Sequence, residues 1–256
     1  MLPLQRQRRI LAYLAQHGSG TVAELAEICH VSDMTVRRDL VLLEKEQTIQ
    51  RTHGGAVYVD APKLEMTFED KESFHRDVKD RIALCAVKTF VHNGLVISLE
   101  GGTTVTAMAR HLDHTTNLTI LTNGLRTAAS LERMLPTSTV MCSGGTLRDV
   151  SHTLVGPIAE QFFERFHAQV AFLSAIGMTL EQGLMDADLL ESQAKRAMSA
   201  AAARRVVLLD STKIGRRSFT TTLQFDEVDA LITDDGVQPS MVEEIKERGV
   251  DVIVAP

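Results

Sequence analysis

From Leu95 to the C-terminus, short apolar runs alternate with segments of helical pattern, and no other feature restricts the fold of this chain so tightly. The runs cover 95–99, 118–121, 139–142, 170–176, 206–209, 230–233 and 250–254. Helical patterns fall between them, near 104–112, 125–134, 153–164, 188–203 and 239–248, and another runs through Ile82, Ala83, Ala86, Val87 and Phe90. Strands separated by helices predict an α/β architecture with a mainly parallel sheet covered on both faces. Ligands of such sheets bind beyond the C-terminal ends of the strands, so the residues that follow each run are the place to look for chemistry.

Those residues are small and polar: Glu100-Gly101-Gly102-Thr103-Thr104, Thr122-Asn123-Gly124, Ser143-Gly144-Gly145-Thr146, Gly177, and Asp210-Ser211-Thr212-Lys213. Glycines let a backbone approach an anion, and threonines at a helix start supply hydroxyls and N–H groups, which is the chemistry of a phosphate cradle. Lys213 offers a point charge for a phosphate or carboxylate, and Arg148 a clamp. Glu100, Asn123 and Asp210 can hydrogen-bond hydroxyls. Together they describe a site for a polyol phosphate built from Glu100, Gly101, Gly102, Thr103, Thr104, Asn123, Gly144, Gly145, Arg148, Asp210 and Lys213. Each has a plainer reading as a glycine turn, a surface lysine or an ion-pair partner. Lys195 and Arg196, on a long helix, carry less weight.

A chain of 256 residues with 44% hydrophobic content has room for a second domain beside this one. Ile10, Leu11 and Leu14 mark a first helix that His17-Gly18-Ser19-Gly20 ends, and Leu25 and Ile28 mark a second before the turn at 30–32. In the third, at about 100° per residue, Val36, Leu40 and Leu43 share one stripe, while Met34 and Arg38 point away from it with Thr35 and Arg37 on the flanks. This is the layout of a groove-reading helix in a helix-turn-helix. Ser32 or Asp33 can cap it, and Asp39, at the edge of the apolar stripe, is assigned to an internal ion pair or hydrogen bond. Strand-like residues around His53-Gly54-Gly55 then predict a β-wing. The predicted DNA contacts are Ser32, Met34, Thr35, Arg37 and Arg38 on the helix, with Arg51 and His53 on the wing.

Spacing as well as residue type resembles the DeoR family of bacterial transcriptional regulators: Arg6, Ile10, Leu14 and Ser32, then Thr35-Val36-Arg37-Arg38-Asp39-Leu40 and Arg51-Thr52-His53-Gly54-Gly55-Ala56. Further marks are Lys79 with Ile82-Ala83, Gly101-Gly102-Thr103-Thr104, Thr122-Asn123, Gly144-Gly145 with Leu147-Arg148, Leu154-Val155-Gly156, Gly177, Gly183, Lys195, Asp210 with Lys213, and Ile232-Thr233-Asp234. The resemblance spans 4–235. It implies a C-terminal domain related in fold to ribose-5-phosphate isomerase that senses a sugar phosphate without turning it over. Three positions depart from the family pattern: Gln47, where a glycine is usual before the wing, Glu100, in place of an aspartate or small residue, and, trivially, Val36 for the more usual isoleucine.

The expected organisation is a winged helix-turn-helix over 1–59, a linker over 60–78, and a sensor domain over 79–256. Residues 1–60 hold seven Lys+Arg and seven Asp+Glu, so the overall charge of −6 comes from the remainder, and any basic footprint on DNA is local. Cys29, Cys85 and Cys142 are isolated in apolar runs and are expected to pack in cores rather than bind metal. No cofactor and no metal site is expected, and the absence of a signal-like or membrane-spanning run predicts a cytoplasmic protein without a membrane partner. The leading expectation is a repressor of carbohydrate catabolism genes that binds an operator in duplex DNA as a homo-oligomer, dimer or tetramer, under control of a phosphorylated sugar. The alternatives are an isomerase-like enzyme fused to a DNA-binding domain, and an architectural DNA-binding protein with no ligand.

Overall fold

The structure, a computed structural model, describes residues 3–45, 49–52, 54–58 and 65–256. It divides into two compact units, Met1–Glu65 and Met66–Pro256. Gln47 and His53, singled out above, lie outside the described residues.

In the first unit, α1 (Pro3–His17), β1 (Ser19–Thr21), α2 (Val22–Cys29) and α3 (Asp33–Lys45) precede a wing of β2 (Ile49–Arg51) and β3 (Gly55–Tyr58). The three strands form one antiparallel sheet in the order β1-β3-β2. A capping box starts α2: the Thr21 hydroxyl accepts the Glu24 N–H while the Glu24 carboxylate accepts the Thr21 N–H. His30 ends it in the left-handed conformation. Ile10, Leu14, Val22, Leu25, Val36, Leu40, Leu43 and Ile49 fill the core, so the stripe read from α3 is the buried one. In α2, Ala26 and Cys29 join Leu25 inside, and Ile28 is only partly covered.

Asp39 is buried beside that core and accepts hydrogen bonds from the Arg6 guanidinium on both oxygens, with Gln7 adding a third at 3.2 Å. The pairing also holds the Arg6 guanidinium above its ordinary range, chiefly through its hydrogen bond to Asp39. It fastens α1 to the back of α3. Asp39→Ala strands a cation beside the core and should cost about 2 kcal/mol of stability in this unit; a chemical-denaturation midpoint unchanged from wild type would refute that role.

The second unit opens with α4 (Phe68–Ser73) and α5 (Arg76–Phe90). The sheet then builds through β4 (Val96–Leu99), α6 (Thr103–Ala107), β5 (Thr119–Thr122), α7 (Leu125–Ser130) and β6 (Thr139–Cys142). A hairpin follows, β7 (Thr146–Arg148) with β8 (Thr153–Val155), then α8 (Pro157–Glu164), β9 (Ala168–Leu173), β10 (Gly177–Thr179), β11 (Gly183–Asp186) and α9 (Leu189–Ala200). The chain ends through β12 (Ala202–Leu208), β13 (Thr220–Leu223), β14 (Ala230–Asp234), α10 (Pro239–Glu247) and β15 (Asp251–Ala255).

Seven strands form one sheet, β15-β14-β12-β9-β4-β5-β6, in which every neighbouring pair is parallel. Alternate residues serve opposite cores, as a pleated strand requires. Val170, Phe172, Val206 and Leu208 pack with α5, whereas Ala171, Leu173, Val207 and Leu209 pack with Phe163 of α8 and Met198 of α9. Strand order reverses between β4 and β9: the chain grows from β4 toward β5 and β6, then returns to the other side of β4 for β9.

Three expectations are corrected. Residues 66–78 are not linker, because Phe68 is buried, its N–H bonds to Val150 O at 2.8 Å, and α4 and the start of α5 form there. The helix expected over 153–164 begins only at Pro157; Gly156 turns with φ 88°, and 153–155 pairs as β8. Cys142 is exposed at the end of the edge strand β6 rather than packed inside, whereas Cys29 is buried and Cys85 half-buried.

Candidate functional site

On α3 the outward residues fall as the helical spacing predicts. Ser32, Met34, Arg37 and Arg38 are exposed and Thr35 is half-covered. Ser32 precedes the helix and its hydroxyl receives the Thr35 N–H at 3.4 Å. Arg51 on β2 is exposed, but its guanidinium donates to Glu44 of α3 at 2.7 Å, and its N–H bonds the same carboxylate. Glu44 is held below the usual carboxylate range by those two hydrogen bonds. Arg51 therefore begins from an ion pair that ties the wing to the recognition helix. Among the described residues, Arg37 and Arg38 have no such partner.

In the second unit, the reversal of strand order places the loops after β4 and β9 on either side of a crevice, the usual ligand position in a parallel sheet. The loops after β4 and β5 interlock there with strand β8. Gly101 N–H donates to Asn123 Oδ1 at 3.1 Å, Leu154 N–H to Asn123 O at 2.7 Å, and Asn123 Nδ2 to Leu154 O at 3.3 Å. A Cβ on Gly101 would stand 2.8 Å from Gly124 Cα and 2.5 Å from the Thr153 methyl, so two loops touching backbone to backbone require this glycine. Gly102 leads into α6, whose first turn has no side-chain cap, and Thr103 and Thr104 are buried just inside it. Thr104 Oγ1 has no hydrogen-bond partner among the described residues.

Glu100 was expected to read a hydroxyl, but it turns into the protein. Ser174 after β9 donates its hydroxyl and N–H to Glu100 Oε2 at 2.8 and 3.2 Å, and Lys195 Nζ stands 3.4 Å from Oε1. Both carboxylate oxygens are thus occupied across the crevice. Lys195 also donates to Ser174 O and to Asp186 Oδ1, each at 2.8 Å, and Thr222 donates to the other Asp186 oxygen at 2.6 Å. Burial opposes its charge, yet Asp186, Glu100 and Glu191 outweigh burial and hold the ammonium above its ordinary range.

Arg148 swings from β7 to Asp188 and Glu191 at the start of α9, at 3.4 and 3.5 Å. Glu191 also accepts from the Thr153 hydroxyl at 2.7 Å. Burial raises this carboxylate, but Lys195 and the Ser151 and Thr153 hydroxyls bring it below the usual range. Arg148 is therefore held as the ion-pair partner that was its plainer reading. Gly144 and Gly145 have φ of 70° and 112° and carry the chain from β6 into the hairpin; their need for glycine is conformational.

One strand beyond β9, Asp210 is buried and faces Lys213 Nζ at 3.9 Å. Thr212 donates to Asp210 Oδ1, while Oδ2 has no hydrogen-bond partner among the described residues. Lys213 is pushed below its ordinary range by burial first, against the pull of Asp210.

The Asp186–Glu191–Lys195 network and Lys79 were not found by chemical reasoning from the sequence. A signal was present. Glu191 and Lys195 share a helix face with buried Ala194 and Met198, and Lys79 shares one with Ile82, Ala83 and Ala86. Charged residues on an apolar stripe imply buried partners.

An exposed recognition helix with a wing, joined in one chain to a parallel-sheet domain whose strand ends are laced with buried charge, defines a ligand-responsive DNA-binding regulator. Comparison with known proteins agrees: the DeoR-like helix-turn-helix domain matches residues 6–61, and the DeoR C terminal sensor domain matches 75–235. The chain belongs to the DeoR family of helix-turn-helix transcriptional regulators. It is 34% identical to the HTH-type transcriptional regulator GolR of Listeria innocua over 100% of both chains. It is 36% identical to the HTH-type transcriptional regulator GlpR of Haloferax volcanii, over 99% of this chain and 98% of that one. Among solved structures, ribose 5-phosphate isomerase A from Methanocaldococcus jannaschii matches at 18% identity and a TM-score of 0.39, over 54% of each chain. Family membership decides between the regulator and the isomerase-like enzyme in favour of the regulator.

Proposed function

We propose that this protein represses carbohydrate catabolism genes and that a phosphorylated sugar, bound at the crevice between β4 and β9, sets its affinity for the operator. The observation that carries this reading is the Asp210–Lys213 pair beside that crevice. A half-buried ammonium with no hydrogen bond among the described residues stands next to a buried carboxylate oxygen that also lacks one. Together they offer a charge for a phosphate and an acceptor for a hydroxyl. Asn123, Thr103 and Thr104 extend the polar lining, while Glu100 and Arg148 act from behind by fixing the loops.

Ser32, Met34, Thr35, Arg37 and Arg38 are the proposed contacts to the major groove, with Arg51 and His53 on the wing. The protein works in the cytoplasm as a homo-oligomer, since paired recognition helices match paired half-sites about one helical turn apart. No helix among the described residues is long and apolar enough to cross a membrane.

Operator binding by the full chain, followed by fluorescence anisotropy on its own promoter with and without pentose and hexose phosphates, tests the reading. An active sugar phosphate should shift operator affinity by a coupling of about 1–3 kcal/mol, and Lys213→Ala should abolish the shift while leaving ligand-free DNA binding intact. A response unchanged in Lys213→Ala would remove that residue from the site.

A further inference from the structure

Directly after Lys213 the chain forms a loop over 214–219 whose two ends are fastened and whose crest is not. At its start Ile214 bridges to Met178 of β10, Gly215 N–H donates to Met178 O at 2.7 Å, and Arg216 N–H donates to Lys213 O at 3.3 Å. Gly177, three residues beyond Ser174, lies under this stretch. A Cβ there would stand 2.2 Å from Arg216 O and 3.2 Å from Arg216 Cβ, so the loop rests on the chain as it leaves β9. At its end the loop enters β13, where the Thr222 hydroxyl donates to Asp186 and the Thr222 carbonyl accepts from Arg196 at 2.9 Å. Between these anchors Arg217 and Ser218 make no hydrogen bond among the described residues.

The crest carries two cations and a ring. Arg216 is half-buried and Arg217 exposed, and among the described residues neither guanidinium has an ion pair or a hydrogen bond. The carboxylates bordering the crevice are committed elsewhere: Asp210 to Thr212 and Lys213, Asp186 to Lys195 and Thr222, Glu100 to Ser174 and Lys195, and Asp188 and Glu191 to Arg148. Phe219 is 78% exposed, the most of any large apolar side chain among the described residues. Closure over a bound anion gives the arginines charge-assisted hydrogen bonds and takes the ring out of water. Gly215 supplies the pivot, since its φ is 83° and nothing lies within 4 Å of where its Cβ would be.

We infer that 214–219 is a lid that pivots at Gly215 to close over the effector, that Arg216 and Arg217 then join Lys213 on its phosphate, and that Phe219 is covered as the lid closes. The inference rests on the proposed sugar-phosphate reading and assigns its closing element. Arg216 and Arg217 are binding residues in this arrangement, and Gly177 sets the height at which the lid rests.

The chain has no tryptophan, so Phe219→Trp places a single indole on the lid. The test uses the full chain and isothermal titration with ribose 5-phosphate, fructose 6-phosphate, fructose 1,6-bisphosphate and glycerol 3-phosphate, each beside its unphosphorylated parent. With the tightest binder at saturation, emission of the Phe219→Trp variant should shift to the blue, and trypsin cleavage of the wild type after Arg216 and Arg217 should slow several-fold. The double variant Arg216→Gln, Arg217→Gln should bind that sugar phosphate about tenfold or more weakly, as loss of charge-assisted contacts does, with the parent polyol and ligand-free operator binding unaffected. Arg165→Gln, exposed at the end of α8, should bind as wild type does. Wild-type affinity in the double variant, or an emission and a cleavage rate both unchanged at saturation, would overturn the lid while the sugar-phosphate reading stood on the wild-type titration. A blue shift that follows protein concentration without ligand would overturn it too, by showing that Phe219 meets a second copy of the chain. If the wild type bound none of the phosphates yet still bound its operator, the sugar-phosphate reading would fall, and the lid with it.

Discussion

Lys195→Met should destabilise the second unit by about 3–5 kcal/mol, the cost of removing one partner from a buried ion cluster. The ammonium satisfies Asp186, Glu100 and the Ser174 carbonyl at once, and its side chain is 6% exposed. Water cannot take its place without opening the crevice. Methionine matches the volume of the stem and removes only the charge, so the loss reports electrostatics rather than a cavity. For a domain whose total stability is about 5–15 kcal/mol, this is a large fraction. Urea unfolding of the full chain measures it in the transition of the larger unit, and Asp186→Asn in the Lys195→Met background should recover part of the loss by removing a stranded carboxylate. A single variant within about 1 kcal/mol of wild type, the size of an ordinary hydrogen bond, would show that Lys195 is not what holds the β4 and β9 loops together.

The same cluster shows what a sequence does and does not display. All seven strands of the parallel sheet were visible because each is a short hydrophobic run, largely buried in the central strands and only partly so in the edge strands β6 and β15, and the run alone marks it. By contrast β7, β8, β10, β11 and β13 have three or four residues and sit among glycines and threonines, too short for a period to register. The helix α4 was read as linker because one apolar anchor, Phe68, stands among Glu69, Asp70, Lys71 and Glu72. Its place is decided by contacts with Val150, Arg126 and Lys79 that no local pattern encodes. The loops of the candidate site were legible, since polar residues after a strand have few other uses, but the roles within them were not. Glu100 looks like a ligand contact until Ser174 and Lys195, far away in sequence, claim both of its oxygens. Asp39 was legible for the opposite reason: its angle on α3 placed it at the core edge, where a carboxylate needs a partner, and Arg6 supplies it.

On the DNA side the same distinction between occupied and available cations gives the sharpest expectation. Arg6 is committed to Asp39 and Arg51 to Glu44, whereas Arg37 and Arg38 project from α3 with no ion-pair partner among the described residues. The 1–60 segment balances seven basic against seven acidic residues, so no diffuse field compensates for losing these two. Arg37→Ala and Arg38→Ala should each cost about 1–3 kcal/mol of operator affinity, and the double variant about 2–5 kcal/mol, at least about 30-fold in Kd. Because both side chains are exposed, the fold should not change, and an unaltered circular dichroism spectrum and melting midpoint would confirm it. Salt dependence separates the two kinds of contact. An arginine on a phosphate lowers the slope of log K against log salt by about one when removed, and its loss is felt equally on every sequence. An arginine on a base edge leaves the slope nearly unchanged and relaxes preference at one operator position. Affinity of the double variant within about twofold of wild type, under 1 kcal/mol on the free-energy scale, would mean that α3 is not the helix that reads the groove.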